Sequence, residues 1–194
     1  MRITITFQSF VWIFLLILIL GCGKVDLKTK LELTAQTPKW SQLFSEIYDL
    51  TQEIQNIQVQ IQKNKKEINQ KFLSIEDSTH SEKVSIYKTQ YFQQLAEFQS
   101  IINKSKKLHD KYVKDRTLYN YWLNTVQNDV ITQENAIKEQ KIFEKKYENL
   151  RKEYQNLKKE FLIFLQKSNE SSEALSDLIP DLVGIKFRVK SLSS

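Results

Sequence analysis

Residues 37–76 read TPKWSQLFSEIYDLTQEIQNIQVQIQKNKKEINQKFLSIE, and their apolar side chains recur every seven residues. The repeat consists of Trp40, Ile47, Ile54, Ile61, Ile68 and Ile75, with Leu43, Leu50 and Ile57 three residues after its first three members. A heptad of this kind is typical of long helices that pack along one seam. Thr37 suits an N-cap and Pro38 suits the first helical position. The sequence therefore predicts a helix over residues 38–76.

Two further helices are predicted from apolar residues at helical spacing. Residues 77–81 are polar, and Asp and Ser favour caps and turns over a helix interior, so the second helix is predicted at 81–126. Residues 127–129 are polar as well and predict a turn, which places the third helix at 129–168. One continuous helix over 81–168 is the alternative interpretation.

The two predicted turns fix which residues face one another in an antiparallel bundle. The expected pairs are Ile61 with Phe98, Ile68 with Tyr91, Ile102 with Tyr154 and Leu95 with Phe161. Helices joined by short turns pack at shallow angles around a shared core. The expected fold class is therefore all-α: an elongated antiparallel three-helix bundle, or coiled coil, over residues 37–168.

The C-terminal tail, residues 169–194, begins with the polar run from Ser168 to Ser172, which predicts the end of the third helix. Residues 185–190 alternate apolar and basic residues, as a strand with a basic outer face does. The tail is expected to fold onto the bundle through four residues: Leu178 and Leu182 on the tail, Phe161 and Phe164 on the third helix.

Composition and charge support helices with solvated faces. The 194 residues include three glycines and two prolines, and none lies between Pro38 and Pro180. Since β folds need turn residues at short spacing, so long a stretch without them favours helix. The net charge of +6 is spread along the chain, which predicts a mildly basic surface. Nucleic acid is not expected as a partner, because no binding motif is present.

Residue types that carry catalysis or bind metals are sparse. His80 and His109 lie in different predicted elements, and neither has a second ligand at metal spacing. No metal site, cofactor or enzymatic activity is therefore expected. An aromatic ladder on the third helix either lines a ligand groove or forms a core stripe, and its spacing favours the core: Phe143, Tyr147, Tyr154, Phe161 and Phe164.

The N-terminal residues have the organisation of a secretory signal peptide. Arg2 precedes an apolar run over residues 10–20, which is shorter than the roughly 20 residues that span a bilayer. The run leads into Ile19-Leu20-Gly21-Cys22, which resembles the lipobox of bacterial lipoproteins. An uncleaved signal anchor and an ordinary buried thiol at Cys22 are the alternatives.

The resemblance implies that residues 1–21 are a signal peptide that is cleaved, and that Cys22 carries acyl chains such as palmitate. Residues 22–36 would then comprise the acylated cysteine and an extended tether, because residues 25–33 alternate apolar and polar side chains. Gly23, rather than an aspartate, follows the cysteine. That residue implies sorting to the outer membrane in a cell with two membranes, and the expected localisation is the bacterial cell envelope.

The sequence thus predicts a lipid-anchored envelope protein that acts as a structural or protein-interaction rod. Its partners would be the membrane, through the acyl chains on Cys22, and a protein that the sequence does not identify; the seam also permits a homo-oligomer. One alternative is a surface or periplasmic module that binds a ligand along the aromatic ladder. Another is a signal-anchored membrane protein with a periplasmic coiled coil.

Overall fold

The computed structural model describes residues 24–72, 81–179, 182 and 185–189. These residues form four helices and no strand: α1 (Leu27–Thr34), α2 (Thr37–Phe72), α3 (Ser81–Gln127) and α4 (Gln133–Leu178). The three long helices pack against each other, which confirms the predicted all-α three-helix bundle. The predicted signal peptide, Cys22, Ile75 and the predicted turn before Ser81 lie outside the described residues.

Contacts divide the chain into two compact units. The first unit takes the described chain up to Gln42 together with Val113–Asn149. The second takes Leu43–Tyr112 together with the described residues from Leu150 onward. Each of the three long helices contributes residues to both units.

The heptad of α2 forms the core, as predicted. Every described member of the repeat is buried: Trp40, Leu43, Ile47, Leu50, Ile54, Ile57, Ile61 and Ile68. The helix begins at Thr37, one residue earlier than predicted, because the Gln36 carbonyl accepts the Trp40 N–H at 3.2 Å. Thr37 is therefore not the N-cap, and its hydroxyl lies 3.1 Å from that of Tyr119.

The segment predicted to be an extended tether is instead the helix α1. Asp26 adopts an extended backbone, and its carboxylate accepts the Thr29 N–H at 2.8 Å, which caps the first turn. Val25 and Leu33 are buried. The period-two pattern was misleading because it does not place all of its apolar residues on one face: Val25 and Leu33 are buried, whereas Leu27 and Leu31, four residues apart, share an exposed face of the helix.

The turn between α3 and α4 spans residues 128–132 and is longer than predicted. Asp129 has a φ of 56°, in the left-handed region that aspartate tolerates better than most residues. The Thr132 hydroxyl lies 3.4 Å from the Asn135 N–H, at the start of the helix. α4 therefore begins at Gln133 rather than at residue 129, and the alternative of one continuous helix is wrong.

α4 also continues ten residues beyond its predicted end, to Leu178. Ser172 donates to the Asn169 carbonyl at 2.8 Å, and Ser176 donates to the Ser172 carbonyl at 2.9 Å. Serine hydroxyls that bond to the preceding turn can remain inside a helix. Ser172 and Leu175 are buried, so packing favours helix over the termination that the serines predict.

The longer turn changes the register of α4 against α3. Phe98, rather than Leu95, lies against Phe161, with ring centroids 6.3 Å apart. Lys104 Nζ lies 2.6 Å from Glu160, so Ile102 faces a level of α4 beyond Tyr154. The predicted register of this interface is therefore wrong: residues of α3 lie opposite positions of α4 that are closer to its C-terminal end than predicted.

The register of α2 against α3 lies close to the prediction. In the second unit the Phe44 and Tyr112 rings are 5.5 Å apart, and Asn64 Nδ2 donates to the Tyr91 hydroxyl at 3.0 Å. The prediction places Ile68, one helical turn from Asn64, opposite Tyr91. The polar turn expected between the two helices therefore predicted their pairing to within about one turn.

Residues 185–189 fold onto the second unit without forming a strand. Phe187 is buried, with its ring 5.7 Å from Phe164 and 6.4 Å from Tyr91. The tail thus covers Phe164 as predicted, although through Phe187, while Leu182 is buried as well. The predicted strand is wrong because side-chain amides, not a neighbouring strand, bond to the tail backbone.

Those amides belong to two helices of the bundle. Gln60 accepts the Arg188 N–H at 3.1 Å and donates to the Arg188 carbonyl at 3.0 Å. Asn169 accepts the Phe187 N–H at 2.8 Å, and Asn64 donates to the Ile185 carbonyl at 2.6 Å. Three amide side chains therefore provide hydrogen-bond partners for backbone groups of this non-helical segment, since the backbone groups of the helices are already bonded within each helix. We call this arrangement the amide clamp.

Candidate functional site

The described part of the chain begins at Lys24, two residues after the predicted lipidation site at Cys22. Val25 is already buried, and α1 begins at Leu27. Cys22 itself lies outside the described residues, so its acylation stays a prediction. The candidate site is therefore the segment directly behind Cys22, from Lys24 to the end of α1.

α1 is fastened to the turn between α3 and α4. Lys30 Nζ lies 2.8 Å from Asp129 Oδ1 and donates to the Gln127 carbonyl at 3.2 Å. The Asp26 N–H donates to Gln133 Oε1 at 3.4 Å. These contacts lie within the first unit. A lysine that joins a carboxylate and a C-terminal carbonyl of α3 also complements the negative end of that helix.

The two aspartates of this junction are held in their charged forms. Lys30, which bonds to Asp129, is the main reason that the pKa of Asp129 lies below its usual value of 3.8, and the Val25 N–H acts in the same direction. The Thr29 N–H and hydroxyl lower the pKa of Asp26. Carboxylates that accept such bonds favour ionisation. The junction is therefore formed between charged groups at neutral pH.

The other face of α1 points away from this junction. The exposed fractions are 74% for Leu27 and 64% for Leu31, which are one helical turn apart. Lys24 and Lys28 are exposed beside them, and Val130 in the turn is 74% exposed. We call Lys24, Leu27, Lys28 and Leu31 the outward face. It combines apolar side chains with positive charge.

The aromatic ladder of α4 lies in the core of the two units, as its spacing predicts. Four of its five side chains are buried and the fifth is half-buried: Phe143, Tyr154, Phe161 and Phe164, then Tyr147. In the first unit Phe143 packs edge-on against Tyr119, at 5.5 Å. In the second unit Phe164 lies 4.5 Å from Phe98. A ligand could reach the ladder only if these contacts opened.

A buried ion pair accompanies the aromatic residues of the first unit. Asp115 is buried, and its Oδ1 accepts a hydrogen bond from Lys146 Nζ at 3.1 Å. The same ammonium group lies 5.4 Å from the centre of the Phe143 ring. The carboxylate and the ring both compensate the charge of this partly buried lysine, so a structural role explains why charged groups lie among the aromatic residues.

The histidines do not form a metal site in the part of the chain that the structure describes. His109 is half-buried and lies edge-on to Tyr112, with ring centroids 5.6 Å apart. His80 lies outside the described residues. Among the residues that are described, no cluster of His, Cys, Asp and Glu side chains has the arrangement of a metal site.

Neither the described helices nor known proteins add a further indication of function. None of them combines the length and the apolar character that crossing a bilayer requires. Searches against protein-family models, curated proteins and solved structures find no match to this chain. The fold thus defines the class, an all-α three-helix bundle, and the function is inferred from the site.

Sequence reasoning missed the junction between α1 and the turn. The signal for α1 was present, because Asp26 is a good N-cap and Leu27 and Leu31 are four residues apart. The contact of α1 with Gln133 had no such signal, since it joins residues 107 apart in the chain. A single sequence does not show which residues meet over so long a separation.

Proposed function

We propose that this protein is a lipid-anchored protein of the bacterial cell envelope, in which Cys22 carries the acyl chains. Its helical bundle serves a structural or protein-interaction role at the membrane, and the outer membrane is the expected location where the cell has one. The observation that carries the proposal is the fastening of α1 to the α3–α4 turn. That junction starts three residues after Cys22, so acyl chains there would attach almost directly to a folded unit.

An interaction role is supported by apolar side chains that the bundle leaves exposed. Tyr121 is 69% exposed, and Leu118, one turn before it on α3, is 40% exposed. Tyrosine is enriched at protein interfaces because its ring is apolar and its hydroxyl is polar. This pair is the first place to look for a protein partner.

Substitution of Cys22 tests the anchor. We expect Cys22→Ala to abolish acylation and signal cleavage, because no thiol remains to be modified. Mass spectrometry of the purified chain should show the mass of the unprocessed precursor, and the protein should no longer partition with detergent as an acylated protein does. A variant with the same mass and partitioning as the wild type would refute the lipid anchor.

Gly23→Asp serves as the matched control, because it leaves Cys22 in place. This variant should still be acylated, but in a cell with two membranes it should fractionate with the inner membrane. An uncleaved signal anchor would instead give the full-length mass in both variants and in the wild type. The two substitutions therefore separate the anchor from its sorting.

Photo-crosslinking tests the interaction role. A photoreactive residue at position 121 should give a discrete crosslinked species in intact cells, since Tyr121 is exposed. The same residue at Lys106, an exposed polar position on the same helix, should not give it. Equal or absent crosslinking at both positions would argue against a partner at Tyr121.

A further inference from the structure

We propose that the outward face of α1 rests on the bilayer surface and binds anionic lipid headgroups. This inference deepens the proposed function and depends on the acyl chains at Cys22. It goes further in naming a second contact with the membrane, made by the folded unit itself. The partner is the headgroup region of a bilayer that carries negative charge.

The short stretch of chain between Cys22 and α1 places α1 close to the bilayer. Leu27 lies five positions after Cys22, and even a fully extended chain spans only about 17 Å over that interval. Acyl chains on Cys22 would insert into the bilayer, so α1 must lie within that distance of the headgroups. α1 cannot rotate freely there, because Lys30 and Asp26 fasten it to the turn between α3 and α4.

The face of α1 that carries Leu27 and Leu31 is not packed against the protein. Val25 and Leu33 are buried against the first unit, and Lys30 is occupied by Asp129 and the Gln127 carbonyl. Leu27 and Leu31 are left exposed on the opposite side. The acyl-chain boundary of a bilayer is an apolar surface on which these two exposed leucines can be buried.

The outward face also carries positive charge. Lys24 and Lys28 flank the two leucines, and basic residues near a membrane surface attract anionic headgroups. The nearest acidic side chain on α1 is Glu32, which lies 4.0 Å from Lys28, with both side chains well exposed. Such a pair is weak in water, so Lys28 can exchange it for a headgroup phosphate.

A fluorescence experiment on the mature lipidated protein tests the proposal. Cys22 is the only cysteine of the chain, so once it is acylated, Leu31→Cys introduces the single free thiol for an environment-sensitive dye. Val59→Cys is the matched control, because Val59 is also an exposed apolar residue, with an exposed fraction of 71%. Both proteins are reconstituted in vesicles of phosphatidylglycerol and phosphatidylcholine.

The dye at position 31 should emit at shorter wavelength than the dye at position 59, and spin-labelled lipid should quench only the former. Changing Lys24 and Lys28 to glutamine should lower the ratio of protein whose outward face contacts the bilayer to protein whose outward face is in water, by about fivefold per lysine. The effect should be absent in vesicles of phosphatidylcholine alone. These results together would support the bilayer as the occupant of the outward face.

Three results would overturn it, and mass spectrometry separates the first two from the third, which is failure of the anchor. An acylated protein whose position-31 dye remains in water refutes the outward-face contact but leaves the lipid anchor intact. A blue shift that lipid-borne quenchers do not reach, and that grows with protein concentration, assigns the face to a second copy. A mass without acyl chains refutes the anchor, and the inference with it.

Discussion

At the scale of the residue, the Tyr91 hydroxyl joins the tail to the bundle. It accepts a hydrogen bond from Asn64 Nδ2 at 3.0 Å and donates to the Ile185 carbonyl at 3.3 Å. Burial raises the pKa of Tyr91 to about 12, although the bond from Asn64 opposes the shift. A buried phenol strongly disfavours its charged form.

The Tyr91 hydroxyl makes the second unit sensitive to alkali. In the unfolded chain the tyrosine pKa is 10.0, and in the folded chain it is about 12. The contribution of neutral Tyr91 to stability is therefore complete below pH 10 and is lost as the pH rises towards 12. Ultraviolet titration of the wild type should show one phenol that ionises only near pH 12.

Tyr91→Phe is the control for that titration. It should remove the last ionisation and the matching loss of stability, and it should cost about 1 kcal/mol at neutral pH through the lost hydrogen bonds. If Tyr91→Phe leaves the last ionisation in place, the high pKa belongs to another tyrosine.

Asp129 makes the attachment of α1 sensitive to acid. Both Asp26 and Asp129 have a pKa lowered below 3.8 in the folded chain, so the charged junction is fully formed above that value. It is lost as the pH falls through the lower folded values. The amide resonances of Leu31 and Leu33 should therefore shift towards those of an undocked peptide below about pH 3.8, as NMR can measure.

Asp129→Asn should show part of that shift at neutral pH, because the partner of Lys30 is no longer charged. Asp110→Asn is the matched control, since Asp110 is an exposed aspartate on α3, the helix that precedes this turn. Unchanged resonances in Asp129→Asn would mean that α1 is held by the burial of Val25 and Leu33 alone.

At the scale of the element, α2 derives its stability from one face. Ile54 is 1% exposed and Val59, five residues later, is 71% exposed. Ile54→Asp should lower the free energy of unfolding by several kcal/mol, because it buries a charge without a partner. Val59→Asp should change it by less than about 0.5 kcal/mol. Denaturant unfolding measures both, and similar midpoints would contradict the observed face of α2.

The tail is an element that is held by packing and by the amide clamp. Phe187→Ala should cost about 3–5 kcal/mol in the stability of the second unit, since the ring is buried against Phe164 and Tyr91. Val189→Ala, on the exposed side of the same segment, is the control and should cost little. A small loss for Phe187→Ala in thermal unfolding would mean that the bundle core is complete without the tail.

The elements differ in how well the sequence predicts them, and the reason lies in their residues. The heptad of α2 is long, so its period is unambiguous. α1 is only eight residues long, and its alternation favours a strand unless the capping role of Asp26 is considered. The serines from Ser168 to Ser172 predict a helix end, but their bonds to the preceding turn depend on packing that sequence does not show.

At the scale of the whole molecule, the pairing of α3 with α4 depends on the turn between them. Lys104 pairs with Glu160, and Lys111 pairs with Glu153 at 2.5 Å. In a chain with Cys22 changed to serine, cysteines at positions 104 and 160 should be joined by a short bifunctional thiol reagent. Cysteines at positions 104 and 153 provide the control on the same two helices.

The control pair should not react within one molecule, because it is out of register by about two helical turns. Rapid joining of 104 to 153 and not to 160 would overturn the observed register. The sequence did not predict this register, because the turn over residues 128–132 contains no glycine or proline to mark its length. The candidate site was likewise predicted only in part: Cys22 is visible as a motif, whereas the outward face exists only once α1 is docked.

The amide clamp also has a consequence for the order of events during synthesis. Gln60 is separated from its partner Arg188 by 128 residues, and at about 5–20 residues per second a ribosome needs roughly 6–26 s to cover that interval. Contacts between residues so far apart in the chain also form slowly, because a long loop must close first. During that time neither the Gln60 amide nor the Asn64 amide has its partner in the tail, although Asn64 can already bond to the Tyr91 hydroxyl. The nascent chain therefore exposes the Gln60 and Asn64 side chains before residues 185–188 are present to cover them. A chaperone that shields these side chains would protect the incomplete protein from association with its neighbours.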